Sequence, residues 1–255
     1  MIRNCMVFRP ASPAGVIKHI ERSRLEGVTL KDLTKEAKGR NLVRIRGLSR
    51  IMTNERLQVR GSAPDATMLS YSCKLRTRKP AAAGDVAPPF IPVEVEVWVR
   101  KGSGYVVTFD AGRRLSTGAT SLLSFGARGD LDSIRTLKLD KSAFVRLKDR
   151  IEGPAKSGGI LRVTMQDVSL DGSRFKQIVL RAAGLESSRL FQRSFEAATG
   201  ISNMTFLSPP LKPSSRGLLC KLSNWGGVTI YTPNPLQSEF GDLITLIEEV
   251  AISGT

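Results

Sequence analysis

The chain has 255 residues, enough for one large domain or two of about 100–150 residues each. Its 41% hydrophobic content supports a buried core and excludes global disorder. With 39 Lys/Arg against 23 Asp/Glu the net charge is +16, a balance that draws phosphate backbones or acidic lipid surfaces.

The charge is uneven: residues 1–120 hold 22 Lys/Arg and 10 Asp/Glu, the remainder 17 and 13. A phosphate-facing surface is therefore expected mainly in the N-terminal half. Cys5, Cys73 and Cys220 are few, odd in number and far apart. They form neither a disulfide framework nor a zinc pattern and fit a reducing, intracellular setting. Residues 1–16 lack the apolar run of a signal peptide, and no stretch reaches the roughly 18 apolar residues of a membrane helix.

Residues 1–41 read as a helical N-terminal segment. Ser12-Pro13 suits the start of a helix carrying Val16, Ile17 and Ile20. Thr29 precedes Leu30, Leu33 and Ala37, with Gly39 where a C-terminal cap belongs. Such a helix pair is either plain packing or a small DNA-binding unit.

A basic first α+β half is expected over 42–152. Leu42–Arg46 and Leu57–Arg60 show partial apolar/basic alternation, and Leu69, Tyr71, Cys73 and Leu75 make one strand face. The Pro/Ala-rich stretch 79–92 reads as a loop. Val93, Val95, Val97 and Val99 alternate with Glu94, Glu96, Trp98 and Arg100, the clearest strand in the chain. Gly102–Gly104 turns it into Tyr105–Phe109. Through Gly112 the chain is expected to continue as a strand over Arg113–Thr117 and to become helical near Gly118. Asp140 is placed to cap a helix carrying Phe144, Leu147 and Ile151.

A second α+β half is expected over 160–255, after the Gly-rich boundary 153–159. Leu161, Val163 and Met165 alternate, and Asp171-Gly172 marks a hairpin turn into Phe175–Leu180. Helical spacing follows over 187–198. Leu218–Leu222 and Val228–Thr232 form two strands, and Leu236 to Val250 carries a helical apolar stripe. Strand, glycine turn, strand and helix thus occur at 105–127 and again at 217–250.

The segment Phe109-Asp-Ala-Gly112-Arg113-Arg-Leu-Ser-Thr117-Gly118-Ala119 resembles the hairpin-to-helix junction of the TATA-box-binding protein family, with Arg113 in place of the usual lysine. The resemblance implies an α+β fold of two similar halves, each a curved antiparallel sheet with helices on one face, plus the N-terminal helices. It further implies a DNA-facing strand surface of Phe109, Ala111, Arg113, Leu115 and Thr117. In that scheme Phe109 is a wedge between base steps, Arg113 a phosphate contact, and Leu115 with Thr117 line the groove floor. Phe109 and Leu115 are equally suited to be core residues of the sheet. The second copy, Leu222 to Gly227, lacks the phenylalanine and the basic residue. The basic first half and weakly charged second half also look similar to the layout of centromere proteins N and L.

Catalytic signatures are absent. His19 is the single histidine, no phosphate-cradling glycine loop occurs, and no cofactor, metal or catalytic residue is assigned. The expected function is therefore non-catalytic nucleic-acid binding, with double-stranded DNA favoured over RNA. The expected contacts are Phe109, Arg113, Arg114, Leu115, Thr117, Arg44, Arg46, Arg60, Lys74, Arg76 and Arg78. The alternatives are a protein–protein adaptor or homodimer working through the second half, with Trp225, Tyr231 and Pro233 as anchors, and a metal-dependent nuclease using Glu94 and Glu96.

Overall fold

In the computed structural model, residues 3–12, 14, 16, 29–76, 90–128, 131, 133–152, 158–210 and 216–252 are described. The chain is mixed α+β and forms two compact units: Cys5–Thr136, and Leu137–Thr255 together with Met1–Asn4. The division falls earlier than the Gly-rich segment 153–159, of which residues 153–157 lie outside the described set. No helix among the described residues is long and apolar enough to cross a membrane.

The first unit begins with a strand, β1 (Arg3–Pro10), where a helical segment was expected. Cys5, Met6, Val7 and Phe8 are all buried, so both faces of this short strand are apolar and show no alternation. The expected helix near Ser12 lies largely outside the described residues. Two helices follow, α1 (Leu30–Glu36) and α2 (Gly39–Ser49). Thr29 and Asp32 form a reciprocal capping box at the start of α1. The strand reading of 42–46 is corrected: Leu42, Ile45 and Leu48 recur every third residue and pack one side of α2 against the core.

Four further strands follow: β2 (Met52–Ser62), β3 (Ala66–Arg76), β4 (Phe90–Arg100) and β5 (Val106–Phe109). Their order is β2-β3-β4-β5-β1, all antiparallel, with the short β6 (Ile134–Thr136) also paired to β1. Helix α3 (Arg113–Arg128) lies between β5 and β6. Leu57, Leu69, Tyr71, Val95 and Val97 point to one face, where they meet Leu33, Ile45, Ala119 and Leu123 of the helices.

The expected strand over 113–117 is also corrected. Asp110 adopts a left-handed φ of 49°, which turns the chain out of the strand, and α3 starts at Arg113. From Leu115 onward the apolar period is helical, through Ala119, Leu122 and Leu123. The buried Thr108 hydroxyl donates to Ser116 Oγ at 2.8 Å and ties β5 to the first turns of α3.

The second unit comprises α4 (Lys141–Ile151), β7 (Gly159–Leu170), β8 (Ser173–Arg181), a 3-10 turn (Leu185–Ser187), α5 (Arg189–Ala197), β9 (Ala198–Leu207), β10 (Leu219–Ser223), β11 (Gly227–Ile230) and α6 (Gln237–Ile252). Asp140 caps α4 by accepting from Ala143 N at 2.9 Å. Asp171 (φ 49°) and Gly172 (φ 78°) make the tight β7–β8 turn. The strand order is β11-β10-β9-β7-β8, so β8 ends it. Val163, Met204, Phe206, Leu222 and Ile230 are buried on one face, and α4 and α5 pack on β7 and β9.

Candidate nucleic-acid interface

Alternation along a strand sends side chains to opposite faces, so each sheet has a face away from its helices. In the first unit that face divides in two. The β2–β3–β4 part is polar: register sets Arg56 beside Ser72, Ser72 beside Glu94, and Lys74 beside Pro92, while Arg76 pairs with Phe90. A groove of about 560 Å³ runs here between Asn54, Arg56, Ser72, Lys74 and Glu94. Arg56, Lys74 and Arg76 are exposed, and their side chains make no hydrogen bond or ion pair with the other described residues.

The acids on this face are occupied. Glu94 accepts from the Ser70 hydroxyl and from Arg60 Nη2, the latter at 3.0 Å, and these partners hold its carboxyl below the usual range. Glu96 accepts from Trp98 Nε1 at 2.7 Å. No three His, Cys, Asp or Glu side chains cluster in a metal-binding arrangement among the described residues.

Toward β5 and β1 the same face turns apolar. Register puts Cys5 beside Phe109, Val7 beside Val107 and Val107 beside Trp98. Phe109 is 2% exposed, and its ring packs on Trp98 with centroids 5.0 Å apart at 55°. Phe109 therefore lies on the face of β5 opposite the helix-side core, as a core ring. A wedge must reach between base steps, and this one is enclosed.

The remaining expected contacts separate. Arg113 and Arg114 are exposed on the first turn of α3. Leu115 is half-buried against the helix-side core, and the Thr117 hydroxyl donates to Arg113 O at 2.7 Å. The set Phe109, Ala111, Arg113, Leu115 and Thr117 thus does not share a strand face, because 113–117 is helical. Arg44 and Arg46 sit on α2, on the helix side of the sheet, with Arg40, Arg50 and Val43 also exposed along that helix. Arg44 Nη2 reaches Leu131 O at 3.4 Å. Arg78 lies outside the described residues.

One basic surface went unread in the sequence. Among the strands of the second unit, Arg162, Arg181 and Lys221 occupy the face opposite Val163, Met204 and Leu222. Cys5, Cys73 and Cys220 are all buried, and none of the three is in a disulfide. Comparison with protein-family models and with curated proteins finds no match to the chain.

Proposed function

We propose that the protein is a non-catalytic nucleic-acid-binding protein that grips double-stranded DNA with the basic sheet surface of its first unit. One observation carries this reading: Arg56, Lys74 and Arg76 lie on the side of β2 and β3 away from α1, α2 and α3, exposed and without an ion pair among the described residues, while the neighbouring Glu94 is held by Arg60 and Ser70. Cations so arranged meet successive phosphates and release condensed counterions. A two-halved fold like that of the TATA-box-binding protein agrees with strand, helices, four antiparallel strands and helix in the first unit. It agrees too with the hairpins β4–β5 and β10–β11, each leading into a 16-residue helix. The buried Phe109 argues for backbone recognition in place of wedging.

The test is fluorescence anisotropy of a labelled duplex over a salt series. Affinity should fall steeply with salt, each phosphate contact adding about −0.9 to the log–log slope. Absence of duplex binding at low salt, or a flat salt response, overturns the reading.

A second reading, a protein adaptor or homodimer, is favoured by β8. This strand ends the order and exposes Phe175 (44%) and Val179 (46%), a combination that suits strand addition. Light scattering that gives a monomer at all concentrations removes the homodimer form.

A further inference from the structure

The second unit carries a row of side chains that its own sheet does not need. Register sets Arg181 beside Arg162, Arg162 beside Thr205, Thr205 beside Lys221, and Lys221 beside Thr229. These five residues run straight across β8, β7, β9, β10 and β11, over about 19 Å at about 4.8 Å per strand. No carboxylate shares the row. Arg162 and Arg181 are direct neighbours of like charge, an arrangement that costs stability. Among the described residues Arg162, Arg181 and Lys221 make no side-chain hydrogen bond or ion pair that would offset it.

The adjoining row is apolar and ends in an aromatic ring. Leu219 pairs with Leu207, and Tyr231 N donates to Leu219 O at 2.8 Å. Tyr231 is 38% exposed. A groove of about 550 Å³ joins the two rows, with Arg162, Arg181 and Thr205 on one side and Leu161, Leu219 and Tyr231 on the other. Cations beside an open aromatic platform match a backbone whose bases are unstacked and free to turn toward the protein. A duplex hides its base faces behind that backbone and has no use for the ring.

We propose that this groove, with the row that continues past Thr205 to Lys221, binds single-stranded nucleic acid, with phosphates along Arg181, Arg162 and Lys221 and a base stacked on Tyr231. The site is separate from the duplex surface of the first unit and does not rest on it.

The experiment uses the full chain, a fluorescein-labelled twelve-residue oligothymidylate and a duplex of equal length. Combining Arg162→Ser, Arg181→Ser and Lys221→Ser should weaken oligothymidylate binding at least about tenfold. It should also make the salt slope shallower by about 2, at about 0.7 per phosphate. Tyr231→Leu should weaken binding about tenfold with the slope unchanged, because stacking releases no counterions. The triple variant should melt no earlier than the native chain, since a like-charge contact is removed. If it does melt early, Lys221→Ser alone carries the comparison, with an expected change of about 0.7 in slope. Lys74→Ser with Arg76→Ser should leave oligothymidylate binding intact while lowering duplex affinity, which separates this proposal from the reading of the first unit. The proposal is overturned if the native chain ignores oligothymidylate at low salt. It is equally overturned if the triple variant binds oligothymidylate normally, or loses only the duplex.

Discussion

Gly118 on α3 faces Tyr71 on β3 so closely that a methyl group at 118 would meet Tyr71 Oη at 2.9 Å and Met52 Sδ at 3.2 Å. Tyr71 is fully buried, and its hydroxyl donates to Met52 Sδ at 3.6 Å. The glycine is therefore a contact surface in mid-helix. It lets α3 settle onto the sheet and carry Ala119, Leu122 and Leu123 into the core.

Gly118→Ala sets two effects against each other. Alanine favours a helix by about 1 kcal/mol, whereas overpacking a filled core costs about 1–3 kcal/mol. The ring is fixed on all sides, so a net loss of about 1 kcal/mol is expected in urea unfolding. In a Tyr71→Phe background, which removes the oxygen at 2.9 Å, Gly118→Ala should become neutral or stabilising. An equal loss in both backgrounds would show that the hydroxyl contact is not the cause.

Glu55 should make the protein more stable in acid. Its carboxyl is buried, Oε1 has no hydrogen-bond partner among the described residues, and burial pushes its pKa above the ordinary value. An acid whose folded pKa is raised favours folding below its unfolded pKa, about 4.3, and loses that contribution as pH rises through the folded value. Glu55→Gln is thus expected to match the native chain near pH 4 and exceed it at pH 7. Parallel stability curves at the two pH values would refute this.

Asp140 has the opposite sign. The Ser142 hydroxyl and then the Ala143 N–H hold its carboxyl below the usual range. Its contribution is present above an unfolded pKa of about 3.9 and disappears as pH falls through the folded value. Asp140→Ala should cost about 1 kcal/mol at pH 7, and the gap should narrow in acid.

Lys74→Ser with Arg76→Ser is expected to weaken duplex binding and reduce its salt slope by about 1.8, at about 0.9 per phosphate. Arg44→Ser with Arg46→Ser tests α2, which lies on the other side of the same sheet. Equal losses from both pairs would place duplex contacts on two sides of that sheet and count against a single sheet surface.

Much of this architecture was legible in the chain. The valines at 93, 95, 97 and 99, the Asp171-Gly172 turn, the Asp140 cap and the stripe of the last helix are local signals, each set by backbone geometry and the alternation of neighbours. β9 was not legible, because Ser202 sits at a register shift where Met165 pairs with Ile201 and Thr164 with Asn203. Its buried residues Ile201, Met204 and Phe206 therefore lose the strand period. The charge split pointed to the first half, yet a count of charges does not tell which cations are neutralised. Arg60 lies against Glu94, while Arg162, Arg181 and Lys221, far apart in a weakly charged half, line up without a counterion among the described residues.

The sequence by itself determined a basic α+β chain, most of its strands and helices, and the region richest in cations, since these follow from composition and from periods of 2 and 3.6 residues. Only the tertiary structure decided that Phe109 is core, that Arg113 opens a helix, and that three distant cations share one row. Enclosure depends on what packs over a side chain, and cross-strand neighbours depend on register, neither of which is written in the residues nearby.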